Sequence, residues 1–99
     1  MVQINWTQIA VEDLKNIYDF ISKGSKKYAQ LELLKIKTRT SILKTNPRIG
    51  KIVMEKGDFN VRELVEGNYR IIYKIIGTKR IDILTIHHGA RNIESREII

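Results

Sequence analysis

The apolar spacing of this chain changes once, near its middle, and that change limits the fold more than any other feature. Ala10, Leu14, Ile17, Tyr18 and Ile21 recur at helical spacing, and so do Ala29, Leu33, Ile36, Thr40 and Leu43. Beyond a loop containing Arg48, Gly50 and Gly57 the pattern alternates, as half-buried strands require. Thr7 and Ser25 stand where two helices need N-caps, and Gly24 suits the end of the first. Asn46-Pro47 stops the second helix near Lys44, because the residue before proline avoids the helical region. Leu31, Leu34 and Ile42 widen its apolar stripe.

The alternation predicts three strands, about 59–66, 69–76 and 80–87, with Gly67-Asn68 and Gly77-Thr78 as tight turns. Val2 to Trp6 alternates as well and predicts a short leading strand. The order βααβββ predicts an α+β fold, a helical hairpin packed on one face of a small antiparallel sheet. A two-residue Gly67-Asn68 turn pairs Glu66 with Tyr69, Val65 with Arg70 and Glu63 with Ile72. Glu63, Val65, Arg70, Ile72 and Lys74 then share an open face, while Tyr69, Ile71 and Tyr73 turn toward the helices. A two-residue Gly77-Thr78 turn puts Thr85 and His87 on the open face; a three-residue turn exposes His88 there instead.

At 99 residues the chain is expected to form one domain, residues 1–99, with a polar tail from about 92. There is no cysteine, so disulfides, thiolate nucleophiles and the usual zinc cages are excluded, and no metal or other cofactor is expected. No signal peptide is read at the start and no apolar run reaches membrane-spanning length, which makes a cytoplasmic location the expectation. The formal charge is +7, and between Lys23 and Lys56 ten basic residues oppose Glu32 and Glu55 alone. Such a field suits nucleic acid or an acidic protein partner. Lys35, Lys37, Arg39, Lys44, Arg48, Lys51 and Lys74 are the candidate nucleic-acid contacts; the plain alternative for each is a solvated charge. Tyr18, Tyr28, Tyr69 and Tyr73 read as packing residues rather than base-stacking platforms.

Arg70, midway along an apolar strand, needs a partner, because a buried guanidinium left alone is costly. An anionic ligand such as phosphate is one answer. Glu63 or a histidine could serve as base, Arg70 and Arg91 as an electrostatic clamp, and His87 or His88 as acid in cutting a phosphodiester. In the plainer reading Glu63 pairs with Arg70 or Lys74, His87 and His88 are strand-end residues, and Arg91 caps the sheet.

Several segments in order carry a resemblance: Trp6-Thr7 followed by Ala10 and Asp13-Leu14, then Asn46-Pro47-Arg48-Ile49-Gly50, Arg62 through Tyr73, and His88-Gly89-Ala90-Arg91. Together they resemble the RelE/ParE superfamily of toxins from type II toxin–antitoxin modules, over about residues 2–91. The resemblance implies a small basic toxin neutralised by a co-expressed, usually acidic antitoxin that wraps an extended or helical segment over it. RelE-type members cut mRNA in the ribosomal A site, whereas ParE-type members inhibit DNA gyrase without enzymatic activity. Arg70 matches the strand arginine that RelE-like nucleases place on the scissile phosphate, and Arg91 resembles their second phosphate-binding arginine. Val61 and Glu63 stand where the RelE pattern offers lysines, and no tyrosine follows Arg91. Three expectations follow: a ribosome-dependent mRNA endonuclease, which leads; a gyrase inhibitor; and a degenerate member kept as an antitoxin partner.

Overall fold

The computed structural model describes residues 1–89. Strand β1 (Gln3–Trp6) leads into helices α1 (Gln8–Ser22) and α2 (Lys26–Ser41). Strands β2 (Lys51–Ile52), β3 (Val61–Glu66), β4 (Tyr69–Ile76) and β5 (Arg80–His88) follow. The sheet order is β1-β5-β4-β3-β2, so the chain begins at one edge and the long hairpins fill the centre. β1 runs parallel to β5, which makes the sheet mixed rather than antiparallel throughout. That follows from the helical hairpin, a crossover long enough to let the chain return in the same direction. β2 was not legible in the alternation, since two residues carry no period.

Both helices begin as their sequences dictate. The Thr7 hydroxyl accepts the Ala10 N–H at 3.2 Å, and the Ser25 hydroxyl accepts that of Tyr28 at 3.1 Å. α2 ends at Ser41 and tightens into a single 3-10 turn, Ile42–Lys44, before Pro47. The main core lies between the helices and the sheet. It joins Ala10, Leu14, Ile36 and Leu43 to Leu64, Ile71, Tyr73, Ile75, Ile81, Ile83 and Ile86. Each leucine and isoleucine among them contributes about 1.5–3 kcal/mol through burial.

The expected β3–β4 register is the observed one, with Glu66 opposite Tyr69, Val65 opposite Arg70 and Glu63 opposite Ile72. Gly67 takes φ of +57°, and no non-glycine residue has positive φ among the described residues, as a type II′ turn with glycine first requires. The β4–β5 connection differs. Ile76 faces Arg80, so three residues separate the strands and not two. A bulge then restores the parity: Ile72 faces Thr85 while Tyr73 faces Ile83, leaving Leu84 as the extra residue. The Thr7 hydroxyl donates to the carbonyls of Ile83 at 2.8 Å and Leu84 at 3.1 Å, fastening the start of α1 to this irregularity.

The face opposite the helices is only partly open. Val53, Val61, Ile72 and Leu84 form a second, smaller apolar cluster there. The segment between β2 and β3 supplies Val53, and Met54 and Phe59 within it are 71% and 72% exposed.

Candidate functional site

Three of the residues singled out in the sequence converge on that second face. Arg70 and His87 are direct cross-strand partners on β4 and β5. Glu63 lies diagonally from Arg70 on β3, and its Oε2 accepts from Arg70 Nε and forms the ion pair with the other arm of the same guanidinium. The pair is largely sheltered, with side-chain exposures of 22% for Arg70 and 13% for Glu63. The guanidinium that the sequence left in need of an anion therefore has one within the chain. His87 is 1% exposed, covered on the Arg70 side of the sheet.

The remaining charges of this face are also matched. Lys74 Nζ lies 3.3 Å from Asp58 Oδ2. Asp58 is further held by the Asn60 backbone N–H, and these contacts lower its pKa, the Asn60 bond contributing most. Lys51, opposite Glu63 across β2–β3, is exposed and makes no ion pair among the described residues. Of the cations Arg70, Lys74 and Lys51, two are cancelled by carboxylates, so the face carries little net positive charge.

His88 goes elsewhere. It stands on the helix side opposite Tyr69, with ring centroids 5.8 Å apart and ring planes at 90°. Arg91 lies outside the described residues, as does the tail. Lys35, Lys37, Lys44 and Arg48 are exposed. Arg39 is partly covered, and its Nε donates to the Val65 carbonyl at 3.3 Å, closing the edge of β3 beyond the end of β2. The candidate basic contacts thus divide between α2, the loop after it and the sheet face, and form no single stripe.

A groove of about 580 Å³ runs between β1 and the two helices, floored by Ile4, Trp6, Leu14 and Leu33 and rimmed by Lys15, Lys37 and Lys44. Its apolar floor and basic rim suit an acidic amphipathic segment.

Sequence reasoning passed over two buried carboxylates. Asp13 is 7% exposed, and its Oδ2 accepts from the Ile86 N–H at 3.0 Å and from the Thr85 hydroxyl. It thereby covers the edge of β5 past the end of β1, beside the segment that carries His87. The Asp13-Leu14 dipeptide was visible as part of a motif, but only the register shows what the aspartate holds. The second is Glu32, 9% exposed on α2.

The loop Asn46–Gly50 also acquires a physical reason. The Tyr73 hydroxyl donates to the Pro47 carbonyl at 2.8 Å, and Arg62 Nη1 donates to the carbonyls of Arg48 and Gly50, both at 3.0 Å. The motif is a seam between loop and sheet.

Comparison with known proteins agrees with this architecture. Residues 4–93 match the family model described as the ParE toxin of the type II toxin–antitoxin system parDE. "Toxin RelE2" of Caulobacter vibrioides is 32% identical over 91 residues, covering 92% of this chain and 99% of that protein. A solved structure, the chromosomal ParDE toxin–antitoxin system from P. aeruginosa, superposes with a TM-score of 0.74 at 24% identity, over 89% of this chain and 96% of that one. This last likeness concerns the fold. Membership implies a cognate antitoxin as partner, and among the described residues no helix is long and apolar enough to cross a membrane. The chain belongs to the ParE toxin family of type II toxin–antitoxin systems, within the RelE/ParE superfamily.

Proposed function

We propose that this toxin acts by protein contact, as a ParE-type inhibitor of DNA gyrase, rather than by cutting RNA. The observation that carries the reading is the internal cancellation of Arg70 by Glu63. Cleavage of a phosphodiester needs uncompensated positive charge where the phosphorane develops and an acid and a base within reach of solvent-borne substrate. Here the central guanidinium is already occupied, its neighbour His87 is 1% exposed, and His88 is on the other side of the sheet. A phosphate approaching Arg70 competes with the Glu63 carboxylate already bound to it. The family matched over residues 4–93 points the same way.

A ribosome-dependent endonuclease remains the second reading. It draws on the direct pairing of Arg70 with His87 and on the RelE name of the Caulobacter relative. Controlled expression with separate readouts of mRNA integrity and DNA supercoiling tests both. Early loss of negative supercoiling with intact messages is expected. Early mRNA cleavage with undisturbed supercoiling overturns gyrase inhibition and restores the nuclease.

A further inference from the structure

The charge cancellation around Arg70 is not repeated at the other end of the β4–β5 hairpin. Lys44 closes the 3-10 turn after α2, Arg48 lies in the loop that follows, and Lys79 and Arg80 stand where the hairpin turns into β5. They come from two distant stretches of sequence, and the fold brings them together. Two adjoining hollows collect them: one of about 470 Å³ is lined by Lys44 and Lys79, the other, of about 220 Å³, by Arg48 and Arg80. Val2, Pro47 and Thr78 line both, so the hollows share a wall. Among the described residues, no carboxylate lines either.

Backbone hydrogen bonds fix the arrangement. The Val2 N–H donates to the Lys44 carbonyl at 3.2 Å and the Gln3 N–H to the Lys79 carbonyl at 2.8 Å, so the leading segment ties the turn after α2 to the hairpin loop. All four basic residues are exposed. Arg80 pairs with Asp82, Nε to Oδ1 at 3.0 Å, whereas Lys44, Arg48 and Lys79 make no side-chain hydrogen bond or ion pair among the described residues. Cations gathered in this way repel one another in the free protein. A polyanion relieves that repulsion and sheds its own counterions on binding.

We propose that Lys44, Arg48, Lys79 and Arg80 form a contact surface for the phosphate backbone of duplex DNA, held without regard to sequence. Thr45 and Thr78 stand among the cations, and hydroxyls beside lysine and arginine are a usual means of gripping phosphates. No aromatic or amide side chain lines either hollow, so unstacked bases find no ring and base edges no amide partner. A duplex, with a phosphate charge about every 1.7 Å of its axis, matches such a surface better than a single strand. An acidic amphipathic peptide has its apolar footing elsewhere, in the groove floored by Ile4, Trp6, Leu14 and Leu33. Arg80 faces Ile76, about 20 Å along β4 from Arg70, so this surface is separate from the Glu63–Arg70 face and does not depend on the target of the toxin.

The test is fluorescence anisotropy of a labelled 20-base-pair DNA of arbitrary sequence, titrated with the full-length toxin made by cell-free synthesis, at salt concentrations between about 50 and 200 mM. Saturable binding is expected, with the logarithm of the affinity falling against that of salt with a slope of about −3 to −4, as for four phosphate contacts. Arg48→Gln with Lys79→Gln should flatten the slope by about two, one for each contact removed. Lys26→Gln with Lys27→Gln makes the same charge change at the far end of α2 and should leave the slope as it is. All four side chains changed are exposed, and circular dichroism checks that both variants are folded. No binding at low salt, an unchanged slope in the first variant, or equal flattening in both variants overturns the proposal. Tighter binding to a single-stranded RNA of the same length overturns the duplex as occupant, and competition by poly-glutamate as effective as that by unlabelled DNA at equal charge assigns the surface to an acidic protein instead.

Discussion

The backbone N–H of Gly50 donates to the hydroxyl of Tyr73 at 2.9 Å, and the same hydroxyl donates to the Pro47 carbonyl. Tyr73 is wholly buried, so both backbone groups depend on it. Tyr73→Phe is expected to destabilise the fold by about 1–3 kcal/mol, the cost of leaving sheltered polar groups unmatched. Gly50 has no room for a side chain, since a Cβ there would stand 2.5 Å from the Tyr73 hydroxyl and 2.7 Å from the Glu63 carbonyl. Gly50→Ala should cost about 1–3 kcal/mol by overpacking. Because the two changes meet at one hydroxyl, the double variant should lose less than their sum in denaturant unfolding. Full additivity would show that the seam is not cooperative.

Arg70 and Glu63 should behave as a structural couple. Arg70→Ala leaves a sheltered carboxylate alone, at an expected cost of about 1–3 kcal/mol, between the limits for exposed and buried pairs. Removing Glu63 as well should recover part of that loss, and a double-mutant cycle measures the recovery. Under the gyrase reading, folded Arg70→Ala keeps its toxicity when expressed without antitoxin. A folded variant that still binds antitoxin yet is harmless would return the phosphate clamp to Arg70.

Asp13 is expected to set the protection of the end of β5. Asp13→Ala removes an acceptor shared by the Ile86 N–H and the Thr85 hydroxyl, and should cost about 2–3 kcal/mol, as for hydrogen bonds to a charged group. Asp13→Asn retains a carbonyl acceptor and should lose less. Hydrogen exchange at the Ile86 amide reads this directly; unchanged protection in Asp13→Ala would mean that the sheet edge is held by other groups.

How far the sequence reached depended on the kind of information each feature needed. The β3–β4 register was legible because Gly67-Asn68 admits few turns and strict alternation does the rest. His87 reached the Arg70 face for a reason that alternation alone does not contain. The β4–β5 loop has three residues, which reverses the faces, and the Leu84 bulge reverses them again. Leu84 looks locally like any buried strand residue, and only its contact with Thr7 from the far end of the chain gives it away. Glu63 was correctly placed on the face of Arg70, whereas the position of Glu32 under the Gly67 turn was invisible, because that turn comes from another part of the chain. Tyr28, read as a packing residue, is 56% exposed; helical spacing shows which side a ring takes and not whether anything covers it.

The tyrosines offer a pH test of the same packing. Burial raises the Tyr73 pKa, against smaller lowering by the Gly50 hydrogen bond and by Arg62 and Arg48. Tyr69 is raised as well, by burial first and by Glu32 and Tyr28 next. In the unfolded chain both ionise near the ordinary value of about 10. Above that pH the unfolded state has released protons that the folded state still holds, so unfolding becomes more favourable as pH rises. The contribution of both groups is fully present below pH of about 10 and is lost between that value and their raised folded values. Phenolate absorbance during an alkaline titration should therefore show Tyr69 and Tyr73 ionising late, together with the loss of folded-state ellipticity. Tyr73→Phe should remove one late-ionising group, and Glu32→Gln should let Tyr69 ionise earlier. A Tyr69 titration indifferent to Glu32→Gln would show that the glutamate's charge does not reach the Tyr69 hydroxyl.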